Sequence, residues 1–135
     1  MKIDGLINSQ GLDFRLKDES IGSFKWYTIY ENNNRIGHVG IIDGINYDVK
    51  VNMLFITNNF KGYGTKVLKQ VCLYANKKDA NNIVICDLLK GGYNLTLNDR
   101  INIYKKIGSK LKNEGLVKKV MVAKEDSEKI IVYKL

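Results

Sequence analysis

Residues 59–68 read Asn59-Phe60-Lys61-Gly62-Tyr63-Gly64-Thr65-Lys66-Val67-Leu68, and the rest of the chain is organised around this stretch. It follows an apolar run at 53–56 and leads into a segment whose apolar residues have helical spacing. A glycine-containing turn at the start of a helix presents unpaired backbone N–H groups, and the helix dipole adds partial positive charge there. The sequence therefore predicts a phosphate-binding turn at this point.

The size and composition of the chain predict one globular domain over 1–135, with 44% apolar and 27% charged residues. No apolar run approaches the ~18–20 residues that a membrane span needs, and no signal-like segment opens the chain. The two cysteines, Cys72 and Cys86, lack the spacing of a metal site. They are predicted to be buried thiols in a reducing compartment. We therefore expect a cytoplasmic protein that binds no metal.

The net charge of +8 comes from 22 basic and 14 acidic residues, with lysines spread from Lys2 to Lys134. Such an excess attracts polyanionic ligands. Nucleic-acid-binding proteins usually cluster their basic residues with aromatic residues between them. A nucleic-acid-binding protein is thus a hypothesis that rests on charge alone.

The segments before the glycine turn predict an antiparallel meander of four strands. Aromatic and β-branched residues mark the strands, and asparagine or glycine marks the turns between them. The predicted strands are 12–16, 24–30, 35–43 and 47–57, with turns at 31–34 and at Gly44.

After the turn, the apolar residues no longer alternate at every second position but recur with the spacing of a helix. Val67, Leu68, Val71, Cys72 and Ala75 define one face of a helix over about 64–78. Residues 82–89 form a continuous apolar run, which is typical of a strand inside a parallel sheet.

A second helix follows a loop at 90–97, with Asn98 as its N-cap and Asp99 in its first turn. Gly108 and Gly115 are two alternative ends for this helix. Strands at 117–124 and 129–135, joined by a turn at 125–128, close the chain. The order of segments predicts an α/β fold, with a mixed, mostly antiparallel sheet of six to seven strands and two main helices.

Three phosphate-binding motifs are candidates for the glycine turn. The P-loop requires Gly-Lys-Ser/Thr at the helix start, and this tripeptide is absent from the sequence. The dinucleotide fingerprint requires a third glycine where Val67 stands. The third motif is the acyl-CoA loop of the GNAT N-acetyltransferases, Arg/Gln-x-x-Gly-x-Gly/Ala, which residues 59–64 resemble.

The resemblance to the GNAT family covers about residues 24–135. A second local match is Ile103-Tyr104-Lys105-Lys106-Ile107-Gly108, which is similar to the family's Phe-Tyr-Glu-Lys-Leu-Gly segment. The family inserts two helices between its first two strands, whereas only residues 17–23 separate them here. The chain thus resembles a short member that lacks most of this insertion.

The resemblance implies that acetyl-CoA is the co-substrate and that its pyrophosphate binds backbone N–H groups from Lys61 to Lys66. Backbone groups near Met53 and Leu54 would bind the pantetheine arm like an added strand. Asn98 would also contact the coenzyme. The cofactor-binding residues so implied are Met53, Leu54, Asn59, Phe60, Lys61, Gly62, Tyr63, Gly64, Thr65, Lys66 and Asn98.

The family's catalytic residues fall on three positions of this sequence. Asp48 lies eleven residues before Asn59, where several relatives carry the general base. Asp87 on the fifth strand is a second candidate, and either carboxylate could act through water. Tyr104 matches the tyrosine that protonates the departing CoA thiolate. Its helical spacing with Ile101 and Ile107 is equally typical of a core aromatic residue. His38 and Trp26 are interpreted as packing residues.

The short connection at 17–23 implies an open acceptor side, which suits an amine on a macromolecule such as a protein lysine, a protein N-terminus or an aminoacyl-tRNA. A homodimer through an exposed sheet edge is a further expectation. The sequence departs from the family at Asn59, where Arg or Gln is usual, and at Phe60, which often corresponds to glycine. These departures motivate the alternative that the chain is a catalytically weak or inactive binding module acting on a protein partner.

Overall fold

The computed structural model describes residues 11–17, 24–45, 48–56, 62–86 and 96–135, with the backbone alone described at 43–45, 53 and 55. Seven strands and two helices follow one another in the described residues. Their order is β1 (Leu12–Leu16), β2 (Phe24–Glu31), β3 (Asn34–Ile45), β4 (Asp48–Ile56), α1 (Tyr63–Lys77), β5 (Asn82–Ile85), α2 (Leu97–Asn113), β6 (Lys119–Glu125) and β7 (Glu128–Lys134).

The strands form one sheet in the order β1-β2-β3-β4-β5-β7-β6. All neighbouring strands are antiparallel except β4 and β5, which run parallel. A parallel pair needs a long crossover between its strands, and α1 supplies it. The predicted α/β fold, with a mostly antiparallel sheet and two main helices, is confirmed.

One face of the sheet carries the main core, because side chains alternate between the two faces along each strand. Both helices pack on this face and share its buried cluster. The strand residues of that cluster include Phe14, Tyr27, Ile29, Val39, Ile41, Val49, Val51, Ile83, Ile85, Ile131 and Tyr133. On the opposite face, Trp26 stacks on His38 with ring centroids 5.6 Å apart. This stacking agrees with a packing role for both residues.

The strand boundaries differ from the prediction at three turns. The turn predicted at 31–34 is formed by Asn32 and Asn33 alone, because Glu31 of β2 pairs with Asn34 of β3. Gly44 lies within β3 and is not a turn. The last hairpin turns over two residues, Asp126 and Ser127, with φ of 50° and 68°. Glu125 at the end of β6 therefore pairs with Glu128 at the start of β7. Two-residue turns with positive φ match the twist of a hairpin, which explains why this connection is shorter than predicted.

The second helix begins and ends at residues that differ from the predicted ones. Its N-cap is Thr96, which exchanges hydrogen bonds with Asp99 in a capping box. Asn98 is instead an exposed residue inside the first turn. The helix continues through Gly108 and stops before Gly115, whose φ is 80°. Of the two alternative ends, Gly115 is the one the chain uses.

Several predicted features lie outside the described residues: the strand ends at 47 and 57, the strand residues 87–89 and most of the loop at 90–97. Neither α1 nor α2 is both long and apolar enough to cross a membrane.

Candidate acyl-CoA-binding site

The described pairing between the parallel strands β4 and β5 covers only the first part of β4. Asp48 to Val51 pair with Asn82 to Ile85, and the amide of Cys86 donates to the Val51 carbonyl at 2.9 Å. Strand β4 then continues to Ile56, five residues beyond the last described pair with β5. Within the described part of the chain, this stretch of β4 has a strand neighbour on one side only. A strand edge without a strand neighbour is a place where an extended ligand can bind.

A β-bulge lies where the described pairing between β4 and β5 ends. Gly40 of β3 pairs with Met53 and Ile41 pairs with Val51, so Asn52 has no register partner on β3. An extra residue of this kind bends a strand and increases its twist. The bulge immediately follows Val51, which is the last residue of β4 with a described partner on β5. It therefore bends β4 directly after that pairing.

The N-terminus of α1 lies at the same edge of the sheet, because α1 follows the carboxyl end of β4. Its N-cap is Gly62, with φ 72°, a residue that has no side chain with which to cap the helix. Only glycine adopts this backbone conformation without strain. The amide of Lys66 closes the first helical turn on the Gly62 carbonyl at 3.2 Å. The amides of Tyr63, Gly64 and Thr65 precede that bond and have no acceptor within the helix.

The electrostatics of this end of the helix favour an anion. The first turn of α1 contains no acidic residue, and the helix dipole adds positive charge there. The Lys66 ammonium is not fully available to a ligand, since it lies 3.7 Å from a carboxylate oxygen of Glu31 at the end of β2. The predicted phosphate-binding turn thus relies on backbone amides more than on this lysine.

Glu31 also accepts a hydrogen bond of 2.6 Å from the hydroxyl of Tyr63. This bond raises the pKa of Tyr63. Tyr63 is buried, so the first residue of α1 is anchored to β2 through a side-chain contact. Glu31 is a residue that sequence reasoning missed, because it is 32 positions away from Tyr63 along the chain.

Tyr104 lies in the middle of α2 and is buried in the main core. Burial raises its pKa to about 12, while the charge of Arg100, one turn earlier, acts to lower it. The phenol therefore keeps its proton at neutral pH. The Tyr104 carbonyl accepts a hydrogen bond from the hydroxyl of Tyr133 on β7, which fixes this turn of the helix against the sheet. Arg100 is itself buried, and no sequence pattern pointed to it.

Asp48 is the first residue of β4 and lies at the end where β4 and β5 remain paired. Its carboxylate accepts a hydrogen bond of 2.9 Å from the side-chain amide of Asn82, its register partner on β5. The eight residues of strand between Asp48 and Ile56 span roughly 26 Å. Asp48 and the glycine turn are thus at opposite ends of the same strand.

The remaining predicted site residues are distributed as follows. The backbone of Met53 pairs with Gly40, and Leu54 is buried toward the core. Asn98 is exposed at the start of α2. A Cβ placed on Gly64 would lie 3.4 Å from Ile107, so the start of α1 packs closely on α2. Four predicted site residues lie outside the described part of the chain: Asn59, Phe60, Lys61 and Asp87.

A search of the described residues finds no group of three or more His, Cys, Asp or Glu side chains that could hold a metal ion.

The chain resembles known proteins in its structure, whereas comparison of its sequence finds no match. No protein-family model matches the sequence, and no curated protein matches it significantly. The PaiA N-acetyltransferase of Thermoplasma acidophilum, solved with coenzyme A, aligns with a TM-score of 0.59 at 13% identity over 84% of this chain. The alignment spans 62% of that protein, so this chain covers less than two-thirds of its length.

Two further structures align over almost their full length. A Bacillus subtilis acetyltransferase in complex with CoA gives a TM-score of 0.57 at 14% identity, covering 92% of this chain and 99% of that one. A GNAT family acetyltransferase from Elizabethkingia anophelis with acetyl-CoA bound gives a TM-score of 0.56 at 16% identity. This alignment covers 94% of this chain and 100% of that one. The chain has the GNAT acetyltransferase fold. The resemblance inferred from residues 59–64 and 103–108 is thereby confirmed at the level of fold.

Proposed function

We propose that this chain is an acetyl-CoA-dependent N-acetyltransferase that transfers an acetyl group to a primary amine. The observation that carries the proposal is that β4 extends five residues beyond its last described pair with β5, toward the end of the sheet where α1 begins. An open strand edge beside a helix N-terminus suits a molecule with a pyrophosphate at one end and an extended, amide-containing arm. The three similar acetyltransferases were crystallised with coenzyme A or acetyl-CoA, which supports the same ligand here.

In this proposal the amides between Lys61 and Lys66 hold the pyrophosphate, and the β4 backbone at Met53 and Leu54 binds the pantetheine arm. The glycine N-cap of α1 favours this assignment, because Gly62 offers no side-chain acceptor to the first amides of the helix. Asn98 would contact the coenzyme from the start of α2. The other residues proposed to contact it are Asn59, Phe60, Gly62, Tyr63, Gly64 and Thr65.

The chemistry requires an amine that has lost a proton and a thiolate that gains one. The amine nitrogen forms a bond to the acetyl carbonyl carbon, and the bond from that carbon to sulfur breaks. Asp48 is proposed to accept the amine proton, with Asp87 as the alternative base. An extended arm would bring the thioester near Val51, about 10 Å along β4 from Asp48, so the proton would pass to the carboxylate along a chain of water molecules.

Tyr104 is proposed to donate a proton to the departing thiolate. A general acid has to carry its proton when the reaction begins. Burial, which raises the pKa of Tyr104 to about 12, keeps the phenol protonated through neutral and mildly alkaline pH.

The acceptor is proposed to be a primary amine on a macromolecule, either a protein lysine, a protein N-terminus or the amine of an aminoacyl-tRNA. Residues 17–23 are the whole connection between β1 and β2, which leaves little chain to enclose a small metabolite. The net charge of +8 favours an acceptor with acidic surroundings. We further propose that the reaction takes place in the cytoplasm, where Cys72 and Cys86 would stay reduced.

A homodimer through β1 or β6, the two edge strands of the sheet, is also proposed. Light scattering on the full chain would give twice the 15.4 kDa monomer mass if it forms.

The experiment that tests the function is a thermal melt with and without acetyl-CoA, followed by an assay for thiol release. A ligand that binds only the native state adds about 2.7 kcal/mol of stability at one hundred times its Kd. We expect acetyl-CoA to raise Tm by several degrees. Adenosine diphosphate should raise it less, because it reaches the amides of α1 but not the edge of β4.

Two outcomes would count against the proposal in different ways. An unchanged Tm at saturating acetyl-CoA would exclude the coenzyme as a ligand. A raised Tm without thiol release across peptides, protein N-termini and aminoacyl-tRNA would favour the inactive binding module.

A further inference from the structure

Asn82 makes a side-chain contact with Asp48, the proposed general base. Its amide nitrogen donates to Oδ1 of Asp48 at 2.9 Å, in a partly buried position. The two residues are opposite one another at the first register pair between β4 and β5. Among the residues that the structure describes, Asn82 is the one side chain that bonds to the Asp48 carboxylate.

Among the side chains that the structure describes, the charged groups near this pair are engaged elsewhere or lie farther across the sheet. Lys50, two residues along β4 on the same face, forms an ion pair of 3.2 Å with Glu125 at the end of β6. Lys134 of β7 is opposite Asn82 on the far side from Asp48, and Lys119 of β6 is opposite Lys134. Asn82 thus lies between the Asp48 carboxylate and the two lysines that follow it across the sheet, Lys134 and Lys119.

A neutral amide suits a carboxylate that has to act as a base. A lysine or arginine partner would stabilise the charged carboxylate strongly and so weaken it as a proton acceptor. An amide donor fixes the orientation of the carboxylate without cancelling its charge. With Oδ1 bonded to Asn82, the second oxygen, Oδ2, is left to accept a proton.

The backbone around Asn82 is well placed to hold this side chain still. Its neighbour Ile83 is fully buried, and the carbonyl of Asn81 accepts a hydrogen bond of 3.0 Å from the amide of Leu135. Asn82 itself pairs with both β4 and β7, so it sits on an interior strand of the sheet. A donor on an interior strand moves less than one on a loop.

We propose that Asn82 is a positioning residue, which holds the Asp48 carboxylate in the orientation that accepts the amine proton. This inference rests on the proposed acetyltransferase function. It adds a residue that bridges β4 and β5 at the paired end of these strands. The orientation of the Asp48 carboxylate is thereby tied to both strands.

The test is a steady-state comparison of Asn82→Ala with Asn81→Ala, using acetyl-CoA, a panel of lysine-containing and N-terminal peptides, and thiol release as the signal. Asn81 is the matched control, since it is the adjacent asparagine, is exposed and makes no side-chain bond to Asp48. Asn82→Ala should lower kcat roughly tenfold while the KM for acetyl-CoA stays within about twofold, because a misplaced catalytic group costs rate rather than coenzyme binding. Asn81→Ala should leave both parameters at the parent values.

A double-mutant cycle separates positioning from a merely structural effect. Asp48→Asn alone should lower kcat by about 100-fold or more. Adding Asn82→Ala to Asp48→Asn should lower kcat no further, because the two residues act as one unit. Asn82→Gln, which keeps the amide donor, should recover part of the rate.

Three results would overturn the inference while leaving the acetyltransferase function intact: parent kcat in Asn82→Ala, a further loss of kcat when Asn82→Ala is added to Asp48→Asn, or no rate recovery in Asn82→Gln. Absence of turnover in the parent chain with every amine would instead remove the proposed function, and this inference with it.

Discussion

Replacement of Gly108 by alanine should change the stability of the fold through two opposing effects. Gly108 lies inside α2, where alanine is the better helix former by about 1 kcal/mol. The added Cβ, however, would lie 2.6 Å from a ring carbon of Tyr133 and 2.7 Å from a methyl carbon of Val120. Both distances are shorter than any ordinary contact, so the neighbours have to move.

The steric effect should win. Tyr133 is fully buried, and its hydroxyl donates to the Tyr104 carbonyl, so the ring cannot simply turn away. Overpacking of this kind costs about 1–3 kcal/mol, and two simultaneous contacts against a fixed ring place Gly108→Ala near the upper end. Subtracting the gain in helix propensity leaves a net loss of about 1–2 kcal/mol. For a domain of this size the loss lowers Tm by roughly 3–8 °C.

Thermal and urea unfolding followed by circular dichroism would measure this loss. Gly64→Ala in α1 is the matched control, because its Cβ would make an ordinary contact of 3.4 Å with Ile107. We expect that control to melt at the parent temperature or up to about 4 °C above it, since helix propensity favours alanine and no neighbour has to move. A Gly108→Ala protein as stable as the parent, or more stable, would refute the close packing of α2 on Tyr133.

Three other predictions concern the catalytic acid, the helix cap and the dependence of stability on pH. Tyr104→Phe should lower the rate of thiol release more than the affinity for acetyl-CoA, and equal rates in rapid-mixing experiments would exclude Tyr104 as the acid. Thr96→Ala should cost about 1 kcal/mol in urea unfolding, because Asp99 loses its capping partner, and an unchanged midpoint would contradict the capping box. Burial raises the pKa of Cys72 and of Tyr104 to about 12 and raises that of Tyr133 further. These groups therefore stay protonated up to a higher pH in the folded chain than in the unfolded chain. Stability should therefore be unaffected by these groups below about pH 8.5 and fall as the pH rises toward about 12, whereas a flat profile up to pH 11 would contradict their burial.

Local sequence patterns predicted the regular elements well. The spacing of Val67, Val71 and Ala75 located α1 to within one residue at each end, and β1 was found at its observed bounds. Such patterns depend on neighbours a few positions apart, which is the range that the sequence displays directly. The residues that line one face of a helix or strand can therefore be identified from their spacing alone.

The ends of α2 required information that short-range patterns do not contain. Asn98 has the stronger intrinsic preference for an N-cap, but Thr96 caps the helix because Asp99 returns a hydrogen bond to it. Gly108 looked like a helix end, yet it is needed for close packing against Tyr133. Both outcomes were decided by specific contacts and not by residue preference.

The candidate site was predictable where it depends on one segment and unpredictable where two distant segments meet. The open amides of α1 follow from Gly62 and the helix that begins after it. The bond between Asn82 and Asp48, by contrast, spans 34 positions and depends on the register of a parallel pair. The contact of Glu31 with Tyr63 is long-range in the same way. No spacing rule in the sequence encodes either of them.

The brevity of the parallel pairing has a consequence for the order in which the protein assembles. Strands β1–β4 form a meander of consecutive neighbours, and β6 with β7 forms a hairpin, so both can form from contacts between adjacent segments. The four register pairs between β4 and β5 must wait until the crossover through α1 has closed, which is the slower kind of contact. We therefore expect the pairing of β4 with β5, and the site proposed beside it, to be completed late in folding.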